Sequence, residues 1–111
     1  MKKLVLSLIF LAAVLGIAQA QKVYVTKYAS QADIKVFVTK YESQADLKVY
    51  KVQYESQANK DGKWYFVQYE SQAKKKIYFV DYESQADLKI YYVDYESQAG
   101  WRNSSKSHLL K

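Results

Sequence analysis

Hydrophobic and polar positions recur along this chain in short blocks, six times over. Each block opens with six residues of high strand propensity, as in Val23-Tyr24-Val25-Thr26-Lys27-Tyr28 and Ile77-Tyr78-Phe79-Val80-Asp81-Tyr82. β-Branched and aromatic side chains of this kind suit a pleated, half-buried surface, and successive residues of a strand point to opposite faces. The second, fourth and sixth positions are aromatic, then Val or Thr, then always Tyr, which predicts an inward face. The fifth position, Lys27, Lys40, Gln53, Gln68, Asp81 and Asp94, reads as solvated. The other seven residues of a block are too few for a helix, since isolated helices below about 12 residues are marginal in water. They are read as turns. The expected fold is all-β, with six short strands.

The sixth position opens the string Tyr-x-Ser-Gln-Ala, and its six copies are the candidate structural motif. They comprise Tyr28, Ser30, Gln31 and Ala32; Tyr41, Ser43, Gln44 and Ala45; and Tyr54, Ser56, Gln57 and Ala58. The second half repeats them as Tyr69, Ser71, Gln72 and Ala73; Tyr82, Ser84, Gln85 and Ala86; and Tyr95, Ser97, Gln98 and Ala99. The units run 23–35, 36–48, 49–63, 64–76, 77–89 and 90–102, within a repeat domain of residues 21–102. The third unit is two residues longer than the others, in Asn59-Lys60-Asp61-Gly62-Lys63, where Asp61-Gly62 is the one strong turn signal.

Units such as 77–89, together with the ending Gln98-Ala99-Gly100-Trp101, resemble the bacterial septoil-knot domain family of unknown function. The resemblance spans Val23 to Trp101. It implies a compact, closed β-fold whose backbone is deeply knotted with seven crossings, and it implies no activity. Ala29 departs from the usual Glu, and Lys74-Lys75-Lys76 from the usual Asp-Leu-Lys. Periodicity alone suggests the alternative of an open β-solenoid, in which each unit stacks on its sequence neighbour. True knots are nearly absent from proteins. The first and last units nonetheless carry the full motif, unlike solenoid caps. The central insertion also divides the chain evenly, as expected if the second half winds back alongside the first. Interleaving would place Lys40 beside Asp81, and a charge gradient along the fifth positions would then help set register.

Residues 1–20 change the setting. Lys2 and Lys3, the apolar run Leu4–Ala18 and the small residues of Ala18-Gln19-Ala20 have the layout of a secretory signal peptide, with cleavage expected between Ala20 and Gln21. The expected location is periplasmic or extracellular. Loss of Lys2 and Lys3 lowers the formal charge from +6 to +4, and setting aside Arg102, Lys106 and Lys111 leaves +1 for the folded body. A nucleic-acid partner, which needs a basic face belonging to the fold, is therefore not expected. Residues 103–111 are expected to be a disordered tail.

Candidate chemistry is sparse. Six serines share one kind of environment and the only histidine, His108, lies in the tail, so no nucleophile–base pair is expected. Neighbouring carboxylates such as Asp81 with Glu83, or Asp94 with Glu96, have lysine in the equivalent place in the first two units. With no cysteine and one histidine, no metal site and no cofactor are expected. The Lys74-Lys75-Lys76 run reads as a solvated turn. Aromatic residues offer the best binding candidates: the periodic tyrosines are assigned to the core, and Trp64, Phe66 and Tyr92 to a binding surface. The sequence thus predicts a monomeric, non-enzymatic, exported structural or interaction domain of high kinetic stability, whose partner is unknown. Its alternatives are a module binding glycan or another cell-envelope polymer, and a secreted β-repeat fibre subunit.

Overall fold

The computed structural model describes residues 21–111. The expected leader and Ala20 lie outside the described residues. Among the described residues there are seven strands: β1 Gln21–Val25, β2 Ile34–Val38, β3 Leu47–Lys51, β4 Lys63–Phe66, β5 Lys75–Phe79, β6 Leu88–Tyr92 and β7 Gly100–Trp101. The first six form a parallel ring in the order β4-β1-β5-β2-β6-β3, closed by a β3–β4 pairing. The two halves of the chain interleave, each strand of one half lying between two of the other. Only β3 and β4 pair as sequence neighbours, so this is a closed barrel and not an open solenoid. Closure also leaves the six-stranded ring without the free edge on which fibre growth depends.

Strands start two residues earlier than their propensity suggests and end before the periodic tyrosine. The inward residues are therefore not the second, fourth and sixth of each unit, which is a correction to the predicted face. They are the first, the residue two before it and, in the second half, the third. Val23, Ile34, Val36, Leu47, Val49, Trp64, Ile77, Leu88 and Ile90 are 0–2 % exposed, and each aliphatic member contributes about 1.5–3 kcal/mol by its burial. The six motif tyrosines are 63–69 % exposed. Their place explains why: each precedes a one-turn 3₁₀ segment of three residues, such as Glu42–Gln44 or Glu83–Gln85, and stands outside the sheet. The Gln main-chain N–H donates back to the Tyr carbonyl at 3.0–3.1 Å in every copy. The fourth position does turn inward in the first half, where Thr26, Thr39 and Val52 are buried beneath the turn, and Thr26 Oγ1 donates to the Tyr28 carbonyl at 2.9 Å. The fifth positions are all exposed, as expected.

Each strand pairs with one neighbour through its first residues and with the other through its last, so the barrel is staggered. Aspartates just ahead of three strands fix that stagger. The Asp33 N–H donates to the Lys76 carbonyl while its Oδ2 accepts from the Lys76 N–H, at 2.7 and 2.8 Å. Asp46 holds Lys89, and Asp87 holds Lys35, by the same two bonds. These main-chain clasps, rather than fifth-position charges, set register between the halves. Asp46 is buried, so Asp46→Ala should cost about 2 kcal/mol, in the range for hydrogen bonds to a charged acceptor. Urea denaturation would measure it, and the exposed Asp87→Ala should lose less. Equal losses would show that burial is not the source.

The two barrel ends are filled differently. At the end where strands finish, the ring of third positions reads Phe66, Val25, Phe79, Val38, Tyr92, Lys51, so aromatic residues of the second half alternate with Val or Lys of the first. Phe66, Phe79 and Tyr92 pack on the core, and the Lys51 ammonium lies 4.4 Å from the Tyr92 ring centroid and 5.6 Å from that of Phe66. At the other end the C-terminal segment docks, correcting the expectation of a disordered tail. Arg102 and Asn103 N–H groups donate to the Asp46 carbonyl, Asn103 Oδ1 caps a 3₁₀ helix over Ser104–Leu110, and Leu110 is 5 % exposed. The apolar pair Leu109-Leu110 gives the tail something to bury, which its polar residues concealed. Lys74-Lys75-Lys76 is likewise no solvated turn, since Lys75 and Lys76 open β5.

Candidate functional site

Two kinds of position bring chemistry-bearing side chains together: a clasp at the chain's midpoint and a series of grooves on the barrel's outer face.

The clasp is built on the central insertion. Lys63 N–H donates to the Lys60 carbonyl at 3.1 Å, closing a tight turn whose third residue, Gly62, has φ +95. Asp61 Oδ1 accepts from Gln21 Nε2, and its Oδ2 accepts from Trp101 Nε1 at 2.6 Å. Gly62 N–H donates to Gln21 Oε1 at 3.1 Å, and its carbonyl accepts from Tyr50 N–H at 2.8 Å. Gln21, expected to follow the cleavage point, is thus a buried structural residue. Lys63 Nζ also binds Glu96, whose exposed carboxyl is held below the usual range first by that hydrogen bond and then by the lysine charge. The dense mutual satisfaction of these groups makes the clasp structural.

The grooves follow from register. On the outer face the lysine immediately before each repeat lies opposite the second-position aromatic of the neighbouring strand. The pairs are Lys22 with Tyr65, Lys76 with Tyr24, Lys35 with Tyr78, Lys89 with Phe37, Lys63 with Tyr50 and Lys48 with Tyr91. A glutamate at the seventh position of a repeat reaches into five of them: Glu55 to Lys22, Glu42 to Lys48, Glu96 to Lys63, Glu70 to Lys76 and Glu83 to Lys89, four of the five at 3.1–3.6 Å. These pairs, not Lys40 with Asp81, carry most ion pairing among the described residues. In the sixth groove Ala29 stands where the glutamate would be. There Lys35, Tyr78, Asp81, Tyr82 and Gln85 line a cleft together with Ala29 and Val80.

The expected binding surface fares differently. Trp64 is fully buried, because it occupies the same repeat position as Val23, Val36, Val49, Ile77 and Ile90. Its Nε1 has no hydrogen-bond partner among the described residues. The Trp64 and Phe66 rings meet edge to face at 6.1 Å. Phe66 and Tyr92 are half-buried in the barrel mouth, and burial pushes the Tyr92 phenol up to about 12. A shallow cleft of Tyr50, Lys51, Tyr92, Val93 and Asp94 remains beside them, with Lys51 already engaged by the two rings. Sequence reasoning missed Lys35 as a candidate, although the absence of glutamate at residue 29 was visible.

The motif serines sit in six equivalent exposed turns and are not brought against a base. Among the glutamines, Gln57 Oε1 accepts from Gln53 and Tyr54 N–H groups, so this one braces its turn. A comparison with curated proteins gives no match. The family model described as the 7(1) septoil knot domain matches residues 20–102. The interleaved double circuit, closed on itself and staggered throughout, is consistent with a seven-crossing knot. The chain belongs to the septoil knot domain family.

Proposed function

We propose that this chain is a non-enzymatic, exported structural or interaction domain whose value is a folded state that is very slow to open. One observation carries the reading: the ring is closed by strands that alternate between the two halves of the chain. No unit can peel from the sheet without disturbing neighbours distant in sequence. A knotted chain must also be unthreaded before it is fully unfolded, which makes durability a matter of rate. Repetition of the Ser and Gln residues in equivalent exposed turns supports the non-enzymatic part, since a catalytic residue is usually distinguished from its copies by a base beside it. The leader-like residues 1–20 support export.

The test is a measurement of unfolding rate on protein recovered from the extracytoplasmic fraction. N-terminal analysis should give Gln21 as the first residue. Extrapolated to water, unfolding should be slower than about 10⁻⁶ s⁻¹, the slow limit of ordinary small domains. Opening within seconds in moderate denaturant, with full reversibility, would remove the basis of the proposal.

A further inference from the structure

The outer grooves offer a comparison that the protein makes with itself. In five of them a lysine ammonium meets a carboxylate, and those five lysines are buried or half-buried. Lys35 occupies the same register position, yet it is exposed and in no ion pair among the described residues, and residues 1–20 contain no acid that could reach it. Ala29 is what separates this groove from the others. Its short side chain leaves a cleft where the sister units place a glutamate.

The walls of that cleft are chemically mixed. Lys35 supplies one positive charge at the vacated carboxylate position. Tyr78 lies in register with it, and Tyr82, 69 % exposed, adds a second aromatic ring with a free face. Asp81 and Gln85 supply acceptors and an amide donor for hydroxyl groups. A ligand matched to this set carries one carboxylate, a ring whose C–H face can lie against tyrosine, and hydroxyls. Asp81 disfavours a second negative charge close by. We infer that the Ala29–Lys35 groove is a binding site for a carboxylated sugar, such as a hexuronate residue of an acidic glycan. The ligand carboxylate takes the place that Glu42, Glu55, Glu70, Glu83 and Glu96 fill in the sister grooves. Recognition depends on the groove alone and is independent of how slowly the barrel opens.

A shallow site with one exposed cation binds a single sugar weakly, on the order of millimolar. Methyl glucuronoside is therefore titrated against the full chain while the Lys35 side-chain and Tyr82 ring resonances are followed by NMR, with methyl glucoside and acetate as controls. Saturable shifts with the glucuronoside are expected, with at least tenfold weaker response to either control. Ala29→Glu restores the residue that five sister units already carry, so it should fold normally, place a carboxylate on Lys35 and weaken binding at least tenfold. Lys35→Gln should weaken it likewise. Undiminished binding by Ala29→Glu, or no saturable shift in the native chain, would overturn the proposal. Acetate binding as tight as the glucuronoside would overturn the sugar assignment.

Discussion

Gly62→Ala should destabilise the folded state severely. A Cβ at this position would lie 2.7 Å from the Lys48 carbonyl oxygen and 2.8 Å from the Gly100 nitrogen, with the Ala99 Cβ at 3.3 Å. The two closest atoms are main chain, so no side chain can swing away to relieve the contact. The backbone also has φ +95, which alanine adopts at a cost of about 1–3 kcal/mol. Moving β3 or β7 to make room would loosen the bonds from Gly62 to Gln21 and Tyr50. The expected total exceeds about 4 kcal/mol, a large share of the roughly 5–15 kcal/mol that small domains possess. Gly100→Ala provides the control. Its φ is also positive, but nothing lies within 4 Å of the added carbon, so it should show the conformational cost alone. Denaturant titration of both variants checks this, and equal losses would mean that the close approach is not responsible.

Trp64→Ala should cost about 3–5 kcal/mol, the range for removing a large buried aromatic side chain. Trp64 is the largest fully buried side chain of the barrel and meets Phe66 edge to face. Its removal would leave a void among residues that are themselves pinned by the closed ring, so relaxation is restricted. Trp64→Phe should cost much less, about 1–2 kcal/mol, because the ring is largely replaced and the unpartnered Nε1 has no hydrogen bond to lose. Guanidinium denaturation monitored by circular dichroism distinguishes the two variants. A loss below about 1 kcal/mol for Trp64→Ala would contradict the cavity estimate behind this prediction.

The same tryptophan shows where sequence reading succeeded and where it went astray. Six similar units, the midpoint turn at Asp61-Gly62, the solvated fifth positions and the interleaving of two halves were all legible, because each is a property of repeat spacing. The inward face was not. Treating Tyr28 and its equivalents as the end of a strand forced the wrong parity, whereas the chain leaves the sheet after about three residues of the unit and enters a 3₁₀ turn. The missing signal was nearby: Ile34, Leu47 and Leu88 stand two residues before a first position and share its parity. With them counted, Trp64 falls in the column of Val23 and Ile77 and could not have been assigned to the surface. Leu109-Leu110 was a comparable hint for the docked tail. What could not be read at all was which lysine each glutamate meets. That depends on neighbours about 6 to 33 residues apart that only the winding brings together.

Asp61 holds Gln21 at the head of the barrel and Trp101 near its close, although each is 40 residues away along the chain. A tensile load drawn through the two extremities would therefore arrive first at the molecule's centre. Strands would be sheared together instead of being stripped one after another, because both ends of the barrel are tied to the one turn at its midpoint.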